Sequence, residues 1–141
     1  MKIRNLIAAI AAVYGFVSIA YAADAKPSSG SAAMPAPIVF FDIAGPDATK
    51  LHAFYASVFG WSIDAQNAIK TPGGLDGTLR QDPAEKIIYM GVPDINAALE
   101  QIKAAGGTVD MPRTVIPKVV TFALFKDPAG NRMGLVEMPK S

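Results

Sequence analysis

The chemistry open to this chain is set first by what it lacks. It has no cysteine and one histidine, His52. Disulfides, thiolate nucleophiles and Cys-based zinc or iron–sulfur sites are therefore excluded, and no histidine cluster can form. Carboxylate, phenol and guanidinium chemistry remains. Two polar side chains interrupt apolar, β-branched runs: Asp42 within Ile38 to Ile43, and Tyr89 within Ile87 to Val92. Strand alternation puts Val39, Phe41 and Ile43 on a helix-packing face, with Ile38, Phe40 and Asp42 opposite. It likewise sets Ile88, Met90 and Val92 against Ile87, Tyr89 and Gly91. A carboxylate and a phenol on such inner faces can hydrogen-bond a ligand and fix its orientation, or bond one another. Arg80 is placed to add positive charge nearby. His52 falls on a helix beside the apolar stripe, the place of a flanking surface residue. Glu137 ends the last strand and is expected to be solvated.

The surrounding pattern supplies the elements that hold these residues. Asp47 suits a helix N-cap, its carboxylate accepting free N–H groups of the first turn. Leu51, Phe54, Tyr55 and Val58 follow at helical spacing on one face. Gly60 stops the helix, and Trp61 to Asp64 resumes as a strand. Trp61, Phe54 and Tyr55 are expected in the core. Thr71-Pro72-Gly73-Gly74 is a turn, and the glycines at 73, 74 and 77 do not form a phosphate loop. The pattern then recurs: a strand, Asp94 as cap, a helix burying Ile95, Ala98, Leu99 and Ile102, a stop at Gly106-Gly107, and a strand from Thr108. Two strands, Val119 to Lys126 and Arg132 to Met138, close the chain around the turn Asp127-Pro128-Ala129-Gly130-Asn131. Asp94 follows Asp47 by 47 residues (94 − 47 = 47). The expectation is an α+β domain of two similar halves, neither stable alone.

The start of the chain is different material. Lys2 and Arg4 precede an uncharged, mostly apolar run from Leu6 to Ile19, and Ala20-Tyr21-Ala22 supplies small residues at the first and third places of a cleavage site. Residues 1–22 are expected to be a secretory signal peptide. The run is short of the about 20 apolar residues of a span, so cleavage leaves no stable membrane anchor, and without cysteine there is no lipid anchor. Residues 23–36, rich in Pro, Ser and Gly, read as a flexible linker, and 37–139 as the folded domain. The expected location is periplasmic or secreted. With 51% apolar and 18% charged residues, and 13 Lys+Arg against 12 Asp+Glu, the chain can build a core, and nothing in its charge points to nucleic acid.

These residues carry a resemblance. Asp47, His52-Ala53-Phe54-Tyr55 and Val58-Phe59-Gly60-Trp61 resemble the first half of a vicinal oxygen chelate domain, the superfamily of glyoxalase I, bleomycin-resistance proteins and extradiol dioxygenases. Val92-Pro93-Asp94-Ile95, Ala97-Ala98-Leu99 and Ala104-Ala105-Gly106-Gly107 resemble its second half. Asp127 to Asn131 with Gly134-Leu135-Val136-Glu137 resembles its closing hairpin. The resemblance implies two βαβββ modules forming a curved mixed sheet around a cavity. In metal-dependent members, His, Gln or Glu side chains from both halves hold a cation that polarises the substrate. Those positions fall here at about Ile38, at about Ile87 and at Gly134, none of which carries a donor. The fourth lies in the later strands of the first half. No metal or other cofactor is expected.

Two functions fit. One is metal-independent small-molecule binding outside the cytoplasm, with Asp42, Tyr89 and Arg80 as the cavity's polar groups. The other is an enzyme, a glyoxalase-like lyase or isomerase using Asp42 and Tyr89 as acid and base, or a metalloenzyme if the ligand register lies elsewhere. Curved sheets of this family pair across subunits, so a homodimer is expected.

Overall fold

The computed structural model describes residues 35–139. The leader expected over 1–22 and most of the linker expected over 23–36 lie outside them. Among the described residues eight strands and two helices follow one another: β1 (Ile38–Gly45), α1 (Ala48–Phe59), β2 (Ser62–Ile63), β3 (Ala68–Lys70), β4 (Asp76–Gln81), β5 (Glu85–Val92), α2 (Ile95–Ala104), β6 (Thr108–Ile116), β7 (Val120–Lys126) and β8 (Arg132–Glu137). The strands form one curved mixed sheet in the order β2-β3-β4-β1-β5-β8-β7-β6. This is the expected α+β architecture of two βαβββ modules. In each module the first strand lies parallel to the last, β1 beside β4 and β5 beside β8. The modules join through the antiparallel β1–β5 seam.

Local sequence explains the helix boundaries. The Asp47 carboxylate accepts from the Lys50 N–H at 3.0 Å, and that of Asp94 from Ala97 at 3.0 Å, each satisfying a first-turn donor that has no helical partner. At the end of α1, Gly60 turns left-handed with φ 64°, a conformation that penalises any Cβ.

The two faces of the sheet carry separate cores. On the helix side, Ile95 and Leu99 of α2 pack with Val92, Ala123, Phe125 and Leu135. On the opposite, concave side, Phe40, Ile87, Tyr89, Val120, Phe122, Leu124 and Val136 form the second cluster. The alternation expected for β5 holds. In β1 it breaks at one place. A β-bulge between Ile38 and Phe40 adds a residue to that edge, and Val39, expected against a helix, packs on the concave cluster instead. A bulge changes side-chain parity locally, and nothing in the apolar run marks it.

The apolar stripe expected to bury α1 is also only partly buried. Ala48 is the buried residue of the helix. Phe54 and Val58 remain 52% and 57% exposed, so Phe54 is not a core residue. Among the described residues no helix is long and apolar enough to cross a membrane.

Candidate functional site

Three adjacent strands bring together the three polar residues singled out from the sequence. β4, β1 and β5 run side by side, presenting Arg80, Asp42 and Tyr89 to the concave face. Register makes this possible. Asp42 stands opposite Ile87, and Phe40 opposite Tyr89, so Tyr89 reaches Asp42 on the diagonal, within range of a long side chain. Across the other flank Asp42 stands opposite Thr78, and Arg80, two residues further along the same face of β4, closes from the far side. The Tyr89 hydroxyl donates to Asp42 Oδ2 at 3.2 Å. Arg80 Nε donates to the same oxygen at 3.1 Å, and Nη2 to Oδ1 at 3.4 Å. All three residues are essentially buried, at 1%, 3% and 0% exposure for Asp42, Arg80 and Tyr89.

The cluster extends beyond the residues named from the sequence. Arg80 Nη1 donates to Asp82 at 2.7 Å, and Nη2 to Glu85 at 2.6 Å. Glu85 also accepts from Arg132 Nη1, at 3.0 and 3.2 Å to its two oxygens, and Arg132 Nε reaches Asp110 at 2.7 Å. The chain of charge thus crosses from β4 in the first module to β6 and β8 in the second. Among the described residues every buried side-chain N or O has a hydrogen-bond partner. Asp82 and Glu85 had a sequence signal: Asp82 follows Arg80 at the strand period of two, and Glu85 shares the parity of Ile87 and Tyr89. Asp110 and Arg132 had none, because only the assembled sheet brings them near.

Burial and charge shift the titration of these groups in different directions. Burial raises the Asp42 carboxyl above its ordinary value, outweighing the opposing pull of Arg80 and of the Tyr89 hydrogen bond. Burial and the Asp42 charge hold the Tyr89 phenol far above the ordinary range, so it is a fixed hydrogen-bond donor. Burial also pushes the Glu85 carboxyl up, but hydrogen bonds and charge from Arg80 and Arg132 prevail and lower it. For Arg80, burial works against the charge, and Asp42 and Glu85 more than restore it. The arrangement can hold a guanidinium rigidly and present its partners at the rim. Tyr89, so raised, cannot act as a base near neutral pH. Where the network meets solvent, Asp82, Pro83, Ala84, Glu85 and Arg132 line an open depression of about 250 Å³.

The remaining expectations concern single residues. His52 sits half-buried on α1, away from the cluster. Glu137 is not a solvated strand end. Arg113 of β6 grips it with two hydrogen bonds of 2.8 and 2.6 Å, and it accepts from the Ile95 N–H at 3.2 Å, which places a carboxylate at the positive end of α2.

The residues present do not fit the metal that the resemblance implies for metal-dependent members. Ile87 is fully buried in the concave cluster. The 47-residue offset between the caps makes Phe40 its counterpart, in place of Ile38, which lies 55% exposed before the bulge. Gly134 stands opposite Tyr89, and a Cβ on it would fall within the Tyr89 ring. The same strand pairing gives Thr78 as the counterpart of Gly134 in the first module, and its hydroxyl donates to the Asn67 carbonyl at 3.0 Å. One hydroxyl among three positions without side-chain donors makes no coordination sphere. Among the described residues no group of three or more His, Cys, Asp or Glu is placed to hold a metal ion.

Known proteins share this architecture. Solved structures with the same fold include the protein BH1468 of Bacillus halodurans, at 13% identity over 77% of this chain and 98% of that one, with a TM-score of 0.57. A glyoxalase/bleomycin resistance protein/dioxygenase superfamily member from Vibrio splendidus matches at 12% identity over 74% of this chain and 100% of that one, with a TM-score of 0.54. In sequence the chain is 27% identical over 112 residues to CFP32 of Mycobacterium bovis, provisionally named a glyoxylase; the match covers 67% of this chain and 42% of that protein. The chain thus spans about two fifths of the length of this relative. The family model described as a glyoxalase-like domain matches residues 38–136, the span from the first strand into the last, and the chain therefore belongs to the glyoxalase-like domain family within the vicinal oxygen chelate superfamily.

Proposed function

We propose that this chain is an exported, metal-independent member of the family that binds a small molecule, with Arg80, Asp42 and Tyr89 as the polar floor of its site. The observation that carries the reading is the occupancy of the donor positions. Phe40, Ile87 and Gly134 offer no side-chain donor, and the Thr78 hydroxyl is already committed to a backbone carbonyl. A ligand must then be recognised by hydrogen bonds and charge. The buried guanidinium and its carboxylates supply these, and the depression at Asp82, Glu85 and Arg132 is the route by which a small polar molecule meets them. Asp42 and Tyr89 act from beneath by fixing Arg80. The export half of the reading rests on the Lys2 to Ala22 pattern. The name carried by CFP32 favours a second reading, a glyoxylase-type lyase, for which the same residues would have to act without a cation.

Elemental analysis of the purified protein should find no stoichiometric Zn, Ni, Fe or Mn, and adding those metals should not produce glyoxalase activity. A thermal-shift screen of small polar metabolites should yield a ligand whose binding weakens by about 1–3 kcal/mol in Asp42→Asn or Tyr89→Phe and is unchanged in His52→Ala. One tightly held metal per chain would overturn the reading, as would a ligand indifferent to both cavity substitutions. Mass spectrometry of the exported protein should place its first residue at Ala23; an intact segment from Met1 to Ala22 would defeat the export half.

A further inference from the structure

The turn between β4 and β5 carries a carboxylate that its own fold does not use up. The Asp82 side chain is nine-tenths buried, at 10% exposure. Its Oδ2 accepts from Arg80 at 2.7 Å, and among the described residues its Oδ1 accepts no hydrogen bond. Every buried side-chain oxygen of the described residues has a partner, so Oδ1 is open to the depression that Asp82 lines. Turn aspartates commonly bond the backbone just ahead of them, as two others in this chain do. Asp64 Oδ1 accepts from the Gln66 and Ala68 N–H groups at 2.9 Å, and Asp127 Oδ1 from those of Ala129 and Asn131 at 2.9 Å. Beside Asp82, Glu85 Oε1 accepts one bond, from Arg132 at 3.0 Å, which leaves a lone-pair position unfilled. The exposed Pro83 and Ala84 complete the wall.

We propose that this depression takes a small primary ammonium ion, its N–H groups donating to Asp82 Oδ1 and Glu85 Oε1 and its alkyl chain lying on Pro83 and Ala84. The inference rests on the small-molecule reading above and names the ligand class for it. The hydrogen bonds select a cation. Arg80 gives Nε to Asp42, Nη1 to Asp82 and Nη2 to Asp42 and Glu85. Arg132 gives Nε to Asp110 and Nη1 to Glu85. An anion would have to displace a carboxylate to reach these donors, whereas a cation finds an acceptor already open. Charge agrees. Asp42, Asp82, Glu85 and Asp110 stand against Arg80, Arg132 and Lys126, whose ammonium lies 3.9 Å from Asp110, so negative charge is in excess. Arg80 holds the Asp82 carboxylate in place, and partial burial weakens screening by water and salt. A primary ammonium has donors and no acceptor, which matches a wall that offers acceptors. Size sets the chain length. A volume of about 250 Å³ is below the range of drug-sized pockets and suits an ammonium on a chain of a few carbons.

Propylammonium chloride is the probe, with propyltrimethylammonium, 1-propanol and propionate as comparators. In amide NMR spectra of the purified protein, propylammonium should shift the Asp82, Ala84 and Glu85 signals saturably below about 50 mM and leave those of α2 in place. Propyltrimethylammonium, which has no N–H to donate, should bind about tenfold more weakly or less. Asp82→Asn should weaken propylammonium binding by about tenfold or more with an unchanged far-ultraviolet spectrum, and Glu100→Gln on α2 should not. Should Asp82→Asn unfold, the comparison of probes on the native protein decides alone. The absence of a saturable shift with propylammonium overturns the inference. So does equal binding of 1-propanol or propyltrimethylammonium, or a folded Asp82→Asn that binds as tightly as the native protein. Tighter binding of propionate at the same amides would show that the site reads an anion, and would defeat the ammonium class while leaving the small-molecule reading in place. That reading fails on a different result, a ligand from the thermal-shift screen that is indifferent to both Asp42→Asn and Tyr89→Phe.

Discussion

The two modules share a backbone plan and divide the work differently. The offset that matches Asp47 to Asp94 also matches Phe40 to Ile87 and Asp42 to Tyr89, and the strand pairings match Thr78 to Gly134 and Arg80 to Val136. At these four matched positions the first module supplies a ring, a carboxylate, a hydroxyl and a guanidinium, and the second supplies an aliphatic group, a phenol, a glycine and an aliphatic group. On the helix side the contrast reverses: α2 buries Ile95 and Leu99, while α1 turns Phe54, Val58 and Phe59 outward. A repeated topology therefore fixes where side chains stand and leaves their chemistry free. The seam works because the halves are unlike. Two carboxylates at the Asp42 and Tyr89 positions would repel in a buried site, whereas a phenol there donates to the single carboxylate.

The sharpest way to break this contrast is to remove the charge on the first module's side. Arg80→Met leaves Asp42 buried without its cation and should cost about 3–5 kcal/mol in urea unfolding. The double change Asp42→Leu with Arg80→Met should cost less than Arg80→Met alone, since no isolated charge remains. A double variant as unstable as the single one would show that Arg80 acts mainly through Asp82 and Glu85.

The helices give the next comparison. Leu99→Ala on α2 should destabilise by about 2–5 kcal/mol. Val58→Ala on α1 should stay within about 0.5 kcal/mol when measured at concentrations where the protein is monomeric. Equal losses would mean that α1 is covered within the monomer.

The module-specific glycine is testable in the same way. Gly134→Ala puts a methyl group into the Tyr89 ring and should cost about 1–3 kcal/mol by overpacking. In a Tyr89→Ala background the penalty should fall, a coupling that a double-mutant cycle reads directly.

How much of this was legible beforehand follows from range. The caps, the two modules and the inner-face parity of Asp42 and Tyr89 are local or period-two signals, and the structure bears them out. The sequence leaves the position of Arg80 loose, and in the structure it is the centre of the cluster. What stayed hidden depends on pieces distant in the chain. Arg113 meets Glu137 and Arg132 meets Asp110 only once β6, β7 and β8 have paired. The bulge at Val39 leaves no trace in an apolar run. The helical spacing of Leu51, Phe54, Tyr55 and Val58 marks a stripe correctly, but spacing does not say whether the sheet, another copy or water covers it.

The smallest effect tests the seam itself. Tyr89→Phe removes one hydrogen bond to Asp42 without changing the ring that fills the space over Gly134, and should cost about 1 kcal/mol at neutral pH. Its pH dependence has a definite sign. Burial and the Asp42 charge raise the folded phenol well above the 10.0 of a free tyrosine. Below pH 10 both the folded and unfolded phenol are protonated, and this linkage leaves stability unchanged. Above pH 10 the unfolded chain loses the proton and the folded one keeps it, so unfolding releases a proton and stability falls with a slope approaching about 1.4 kcal/mol per pH unit. The stability difference between the native protein and Tyr89→Phe should therefore shrink from pH 10 upward and then change sign, because the phenylalanine variant has no such proton to lose. Parallel alkaline profiles for the two proteins would mean that Tyr89 reaches solvent, and that the second module does not seal the first module's charge.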